Sequence, residues 1–183
     1  MGWNSEGRRA IMMSQTVQDA INKQIHAELG ASYTYLAMSA WCEQHSFTGS
    51  ARWLRLQSQE EYGHAMRLFD FMLARNARLD LRNLEQPRGE YKTLTEIFET
   101  AYEQEKAVSG QIEALYELVF REKAYPAVVQ LEWFLNEQVE EEKTCREIVA
   151  QLHLIGSDPS GLLEIDRGLG SRAPGVTTKS GQA

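Results

Sequence analysis

QSQEEYGHAMRLFDF, running from Gln57 to Phe71, is the stretch that decides the fold. Together with Leu54 just before it, Gln57, Glu61, His64, Leu68 and Phe71 recur at steps of three and four, the period of one helix face. Glu61 and His64 therefore stand in line with apolar residues, on the face that a core should cover. A carboxylate and an imidazole three residues apart on a helix point the same way and can grip one ion. Buried without a partner they would be costly, so this face calls for a counter-group or a metal.

Working outward, three other segments show the same period. The first carries Ile21, Ile25, Glu28, Ser32, Tyr35, Ser39 and Cys42. The third carries Leu94, Phe98, Ala101, Glu105, Val108, Ile112, Leu115 and Val119, with Glu105 its single charge. The fourth carries Leu131, Phe134, Gln138, Glu141, Cys145, Ile148 and Leu152. Each of four helices thus brings an acid to its core face. From Glu28 to Glu61 is 33 residues and to His64 is 36; from Glu105 to Gln138 is again 33 and to Glu141 again 36. The chain reads as two copies of one helical hairpin, each giving a lone Glu and then a pair at i, i+3. Inward carboxylates in this arrangement build two-metal sites in four-helix bundles. The second pair is Gln138-x-x-Glu141, so the two halves are unequal.

At 183 residues the chain fits one domain with a sizeable core. Its net charge of −7 disfavours nucleic acid as a partner and suits cations. Cys42 and Cys145 lie on core stripes without CxxC spacing and read as two buried reduced thiols. No apolar run approaches membrane-spanning length, and MGWNSEGRRAIMMS lacks the apolar core of a secretory signal, so a cytoplasmic protein is expected. Residues 1–13 read as an N-terminal extension, disordered or not native, with Met12 or Met13 a candidate natural start. Residues 14–169 form the domain, and 170–183, rich in Gly, Ser and Thr, a mobile tail.

The spacing predicts helix A over about 16–44 and helix B over about 49–76. ARLDLRNLEQPRGEYK follows, too polar and interrupted for a helix and longer than most loops. Such a connection lets helix C run parallel to B by crossing the length of the bundle. Helix C opens at the capping box Thr93-Leu-Thr-Glu96 and ends near Lys123. Pro126 suits the first turn of helix D, which runs to about Ile155 before Gly156. Asp158-Pro159 opens a short helix E ending near Gly168.

These motifs, AELGASYTYLAMSAWC around Glu28, QEEYGH around Glu61, AYEQE at Glu105 and NEQVEEEK around Glu141, resemble those of the bacterial non-haem ferritins over about 14–169. The resemblance implies an all-α, ferritin-like four-helix bundle with a long B–C crossover and a short fifth helix. It implies self-assembly into a hollow homo-oligomeric shell, 24 subunits in that family, with Fe2+ and O2 as substrates and ferric mineral stored inside. Glu28, Glu61 and His64 match the ligands of a first iron site. Glu61 matches the bridge to a second iron, held also by Glu105 and Glu141 with Gln138 beside it. Glu60, Glu137, Glu140 and Glu141 match a third, more inward site. Tyr35 matches a tyrosine next to the centre and Trp133 a nearby tryptophan. Haem is not expected, because Tyr62 stands where haem-binding relatives have methionine.

The residue types suit the chemistry, since carboxylates are hard oxygen donors that bridge and shift their binding mode around iron. Simpler readings compete at some positions. Tyr35, seven residues from Glu28 on one stripe, places its ring beside the first iron site, either as a redox group or as core filler bonded to a carboxylate. Trp133 reads as packing. The run Glu137, Glu140, Glu141, Glu142 is either a third metal position or a solvated face. His26, His45 and His153 have no carboxylate at helical spacing and receive no role. The alternative to a storage shell is a non-storage di-iron oxidoreductase acting on peroxide or an organic substrate. An organic substrate needs a pocket, and the stripes around the centre are filled with large residues.

Overall fold

The computed structural model describes residues 13–172; of the expected extension 1–13 and tail 170–183, residues 1–12 and 173–183 lie outside them, while Gly170 closes the last helix. Four long helices and one short one follow in order: α1 Gln15–Gln44, α2 Thr48–Ala74, α3 Leu94–Arg121, α4 Tyr125–Ile155 and α5 Pro159–Gly170. Among the described residues there is no strand. The predicted boundaries hold to within two residues.

Local chemistry sets the boundaries. Ser14 accepts the Val17 N–H at 3.3 Å to start α1, and Asp158 accepts that of Gly161 at 2.8 Å to start α5. Thr93 accepts the Glu96 N–H at 3.1 Å, while the Glu96 carboxylate reaches back one residue further than a capping box would, to the Lys92 N–H at 2.6 Å. The first three helices end alike. Ser46, Asn76 and Lys123 take left-handed backbone with φ 66°, 52° and 55°. The next N–H then returns to a carbonyl five residues back: Phe47 to Cys42 at 2.9 Å, Ala77 to Met72 at 3.0 Å, Ala124 to Val119 at 2.9 Å. α4 ends differently: Gly156, at φ 59° and ψ −122°, takes a backbone conformation that favours glycine, and its own N–H closes the last turn onto Leu152 at 3.0 Å.

The start of α2 is different. Phe47 offers it no side-chain cap. The buried carboxylate of Asp166, on α5, takes the Gly49 N–H at 3.1 Å, the Ser50 N–H at 2.7 Å and the Ser50 hydroxyl at 2.7 Å. A Cβ on Gly49 would lie 1.8 Å from the Asp166 carbonyl oxygen, so the crossing of α5 over α2 requires glycine there.

The segment 77–92 crosses the bundle along α1. At the start of α1, Gln18 accepts the Arg78 N–H at 3.0 Å, and Asn22 both donates to the Arg78 carbonyl and accepts the Asp80 N–H, each at 2.9 Å. At the far end Tyr91 meets Trp41 edge to face at 6.3 Å between ring centres. The crossover thus returns the chain to the end where α2 began, and α3 runs parallel to α2.

The stripes read from the sequence are the buried ones, with Ser32 and Phe71 half-buried. They form two apolar clusters. One gathers Met38, Trp41, Trp53, Leu54, Phe98 and Leu152; the other gathers Ile21, Ile25, Leu68, Ile112, Val119 and Phe134. Each such side chain contributes about 1.5–3 kcal/mol when fully buried. Between the two clusters lies a layer of acids, amides and one imidazole. No described helix is long and apolar enough to cross a membrane.

Candidate metal centre

Glu28 on α1 and Glu61 and His64 on α2 meet in that layer, each offering a ligand atom within 4.8 Å of the others. Among the described residues this is the one group of three or more metal-binding side chains that converges so closely. All three are buried, Glu28 and Glu61 completely. Glu28 accepts a hydrogen bond from Gln24 at 2.8 Å, and its second oxygen has no partner. Neither oxygen of Glu61 has one. His64 Nδ1 stands 3.3 Å from Glu61 Oε2, but the two are not aligned as donor and acceptor. Orphaned lone pairs on buried acids are expensive, and a cation among them removes the penalty. The donor set of carboxylates and one imidazole fits a divalent transition metal.

The second pair of helices closes the ring. Glu105 on α3 accepts a short hydrogen bond from the Tyr35 hydroxyl and a longer one from Gln138 at 3.3 Å. Gln138 also donates to Ser109 at 3.3 Å. Glu141 on α4 accepts from Gln57 at 2.8 Å.

The electrostatics follow from crowding acids in an apolar bundle. Burial pushes all four carboxyls up: Glu28 and, further, Glu61, with Glu105 raised to about 7 and Glu141 to about 8. Mutual repulsion adds to this, since Glu105, Glu28 and Glu141 all raise Glu61. The bonds from Tyr35 and Gln138 pull Glu105 back down. His64 is lowered to about 4, first by burial and then by Arg67, so its imidazole is neutral at neutral pH and keeps a free lone pair. Its ring also meets Trp133 edge to face at 5.3 Å, and Arg67 stacks on Trp133 at 4.1 Å.

Tyr35 is fully buried, and its hydroxyl donates to Glu105, with Cys145 Sγ 3.9 Å away. Two turns carry it about 10 Å along α1, to where Glu105 of α3 faces it. His153 does have a carboxylate partner, Glu99 on α3 at 2.7 Å, but this pair is solvent-exposed. The acids matched to a third site lie within reach of one another's charge, Glu60 and Glu140 raising Glu137 and Glu60 raising Glu141 beyond the effect of burial. Glu60 is engaged by Arg172 at 2.8 Å, Glu140 lies 3.7 Å from Lys143, and Glu137 is raised by burial and by Glu60.

Sequence reasoning gave no role to Gln24, Gln57, Asp166 or Arg172. Gln24 carried a usable signal, lying one turn before Glu28; the pairing of Asp166 with α2 joins residues 116 apart and had none. A groove of about 730 Å³ between α4 and α5 was also unforeseen. It touches Glu141, Trp53, Ile148, Ile165 and Arg172, and of the residues at the centre Glu141 alone lines it.

A four-helix bundle whose middle layer is a ring of inward carboxylates with one imidazole belongs, by fold and site, among the metal-binding bundles. Residues 18–155 match the family described as Ferritin-like domain. The chain is 39% identical over 160 residues to a protein of Haemophilus influenzae named "Probable bacterial non-heme ferritin-like protein", covering 87% of this chain and 97% of that one. It is 35% identical over 158 residues to the "Bacterial non-heme ferritin" of Escherichia coli, covering 86% and 96%. A solved structure described as a novel open pore ferritin from the archaeon Archaeoglobus fulgidus superimposes with a TM-score of 0.87 at 38% identity, covering 88% of this chain and 99% of that one. The chain belongs to the ferritin-like domain family, and within it resembles the bacterial non-haem ferritins.

Proposed function

We propose that this protein is an iron-storage ferritin with ferroxidase activity, assembling as a cytoplasmic shell of 24 subunits that holds ferric oxyhydroxide mineral. The observation that carries this reading is the buried, unpartnered convergence of Glu28, Glu61 and His64 within 4.8 Å, ringed by Glu105 and Glu141. The relatives' names support it.

In this reading Fe2+ and O2 are the substrates. Glu28, Glu61 and His64 hold a first ferrous ion; Glu61 bridges to a second, held by Glu105 and Glu141 with Gln138 alongside. A ferrous pair beside one O2 supplies two electrons together, giving two ferric ions and, with two protons, hydrogen peroxide. The protein's contribution is positioning. Gln24 fixes Glu28, Gln57 fixes Glu141, and Tyr35 with Gln138 fixes Glu105. With Glu105 at about 7 and Glu141 at about 8, the metal-free centre is partly protonated at neutral pH, and iron binding releases those protons. The apolar clusters above and below exclude bulk water.

The groove between α4 and α5 does not favour an organic substrate, because a molecule lying there would meet Glu141 and none of the other ligands. Aerobic addition of Fe2+ at increasing ratios, followed by absorbance and by light scattering, tests the proposal. Rapid oxidation followed by growth of soluble mineral inside a particle of constant large size is expected. A particle of one or two subunits that turns over a fixed pair of irons would sink the storage reading.

A further inference from the structure

Gln57, on α2, is wholly buried between a cation on one side and a carboxylate of the metal centre on the other. Its amide nitrogen donates to Glu141 Oε2 at 2.8 Å. Its amide oxygen accepts a short hydrogen bond from Nη1 of Arg172. An amide is donor at one end and acceptor at the other, a guanidinium only donates, and a carboxylate ready for metal only accepts. One setting of the amide therefore serves both neighbours. Turned over, Gln57 would set its oxygen against Glu141 and its N–H groups against Arg172.

Arg172 lies two residues beyond α5, yet its side chain is fixed in place. Its Nη2 stands 2.8 Å and 3.1 Å from the two oxygens of Glu60, which leaves Nη1 for Gln57. Its guanidinium carbon is 5.3 Å from the centre of the Trp53 ring. The side chain is only 16% exposed. The docking of α5 delivers it there. Asp166 ties that helix to the start of α2, Arg52 donates to the Gly170 carbonyl at 2.9 Å, and a Cβ on Gly170 would lie 2.9 Å from the Gly49 Cα. The end of α5 is thus pressed onto α2 about two turns before Gln57.

We propose that Arg172 is a positioning residue for the second metal position: from the end of α5 it sets the Gln57 amide, and through that amide it holds Glu141 as a ligand. Arg172 itself touches neither metal nor O2. The second half of the centre then depends on α5, although α5 brings no ligand of its own. The first position is held by Glu28, Glu61 and His64, and the donor that steadies Glu28, Gln24, is on α1. Charge alone predicts the opposite behaviour. A cation near the centre repels a metal ion, so deleting Arg172 would strengthen metal binding if Coulomb repulsion were the whole effect. Losing a partner that orients a ligand weakens binding instead, by about 10–100-fold. The sign of the change separates the two.

The inference rests on the metal-centre reading above, and the test keeps their failures apart. Crystals of the assembled protein are soaked in rising Zn2+, and anomalous scattering reads the occupancy of each position. Arg172→Met keeps an unbranched stem over Trp53 without charge or donor. In it the position at Glu105 and Glu141 should need about tenfold more Zn2+ to fill, while the position at Glu28, Glu61 and His64 fills as in wild type. Gln57→Leu should show the same loss, and the double variant no further loss, because both cut one chain of bonds. Coupling between two sites is reciprocal, so Zn2+ should slow amide exchange at Ser171 and Arg172 in wild type and not in Gln57→Leu. That measurement decides the matter even if Arg172→Met does not assemble. Equal or tighter filling of the second position in Arg172→Met, losses that add, or exchange indifferent to Zn2+ overturns the role of Arg172. A first position that stays empty in wild type overturns instead the metal-centre reading.

Discussion

Replacing Tyr35 by Phe deletes one oxygen from the inside of the bundle, and the structure says what that oxygen does. It donates to Glu105, and Gln138 is the other side-chain donor to that carboxylate. Packing volume alone makes the substitution nearly neutral. The hydrogen bond does not: a bond to an ionised acceptor contributes about 1.5–3 kcal/mol, and about 1.4 kcal/mol is one pKa unit. Glu105, held at about 7 in the wild type, should therefore titrate about one unit higher or more in the variant. At pH 7 its ionised fraction falls from about a half to about a tenth, which weakens metal binding at that position about fivefold. By about pH 9 the carboxylate is ionised in both proteins, and the difference closes. Zn2+ titrations without oxygen at several pH values measure this. Aerobic Fe2+ oxidation with freeze-quenched electron paramagnetic resonance then asks the separate question of electron donation, where a tyrosyl signal present in wild type and lost in Tyr35→Phe marks a redox role. Superimposable pH profiles of Zn2+ affinity in the two proteins would refute the hydrogen-bond argument.

Glu105→Ala should abolish the fast phase of iron oxidation while light scattering shows the shell intact, because it removes a ligand without breaking α3; an unchanged fast phase would show that the centre is misplaced. Metal-free protein should lose stability as pH rises from about 4.5 to about 8. Glu28, Glu61, Glu105 and Glu141 keep protons in the fold that the unfolded chain has already released, whereas His64, lowered to about 4, opposes this only between about 4 and 6.5. Thermal melts with and without Zn2+ check it, the rescue by metal being larger at pH 8 than at pH 5. Gly49→Ala should lower the melting temperature more than Asp166→Ala does, since the first forces the Asp166 carbonyl away while the second removes hydrogen bonds, together about 1–3 kcal/mol. Purified protein should show no Soret band at a fixed ratio to subunits, because Tyr62 stands where a haem ligand would.

Much of this molecule is legible because two periodicities coincide. The apolar period drew the stripes, and the acids Glu28, Glu61, Glu105 and Glu141 interrupt those stripes at matching heights, so one reading yields both the bundle and its polar layer. Thr93, Asp158, Pro126 and Gly156 announce their helix ends through local chemistry. What was missed depends on distance in sequence. Asp166 looks like any surface acid of a short helix until α5 is laid across α2. Arg172 looks like the start of a tail until Trp53, Gln57 and Glu60 are found beneath it. Tyr35 lies on the expected stripe, but its partner Glu105 is not legible there, because a stripe fixes a face of α1 but not which residue of α3 stands opposite.

Asp166 caps α2 from 116 and 117 residues downstream, and this carries a consequence for synthesis on the ribosome. The first hairpin emerges with Glu28, Glu61 and His64 already in its sequence, but the opening N–H groups of α2 wait for a partner that is translated 116 residues after Ser50. Until Asp166 arrives, the first turn of α2 frays in water while the turns around Glu61 can already settle against α1. A nascent chain arrested before α5 should therefore show fast amide exchange at Gly49 and Ser50 and slow exchange near His64, with the first turn of α2 locking only once Asp166 has emerged.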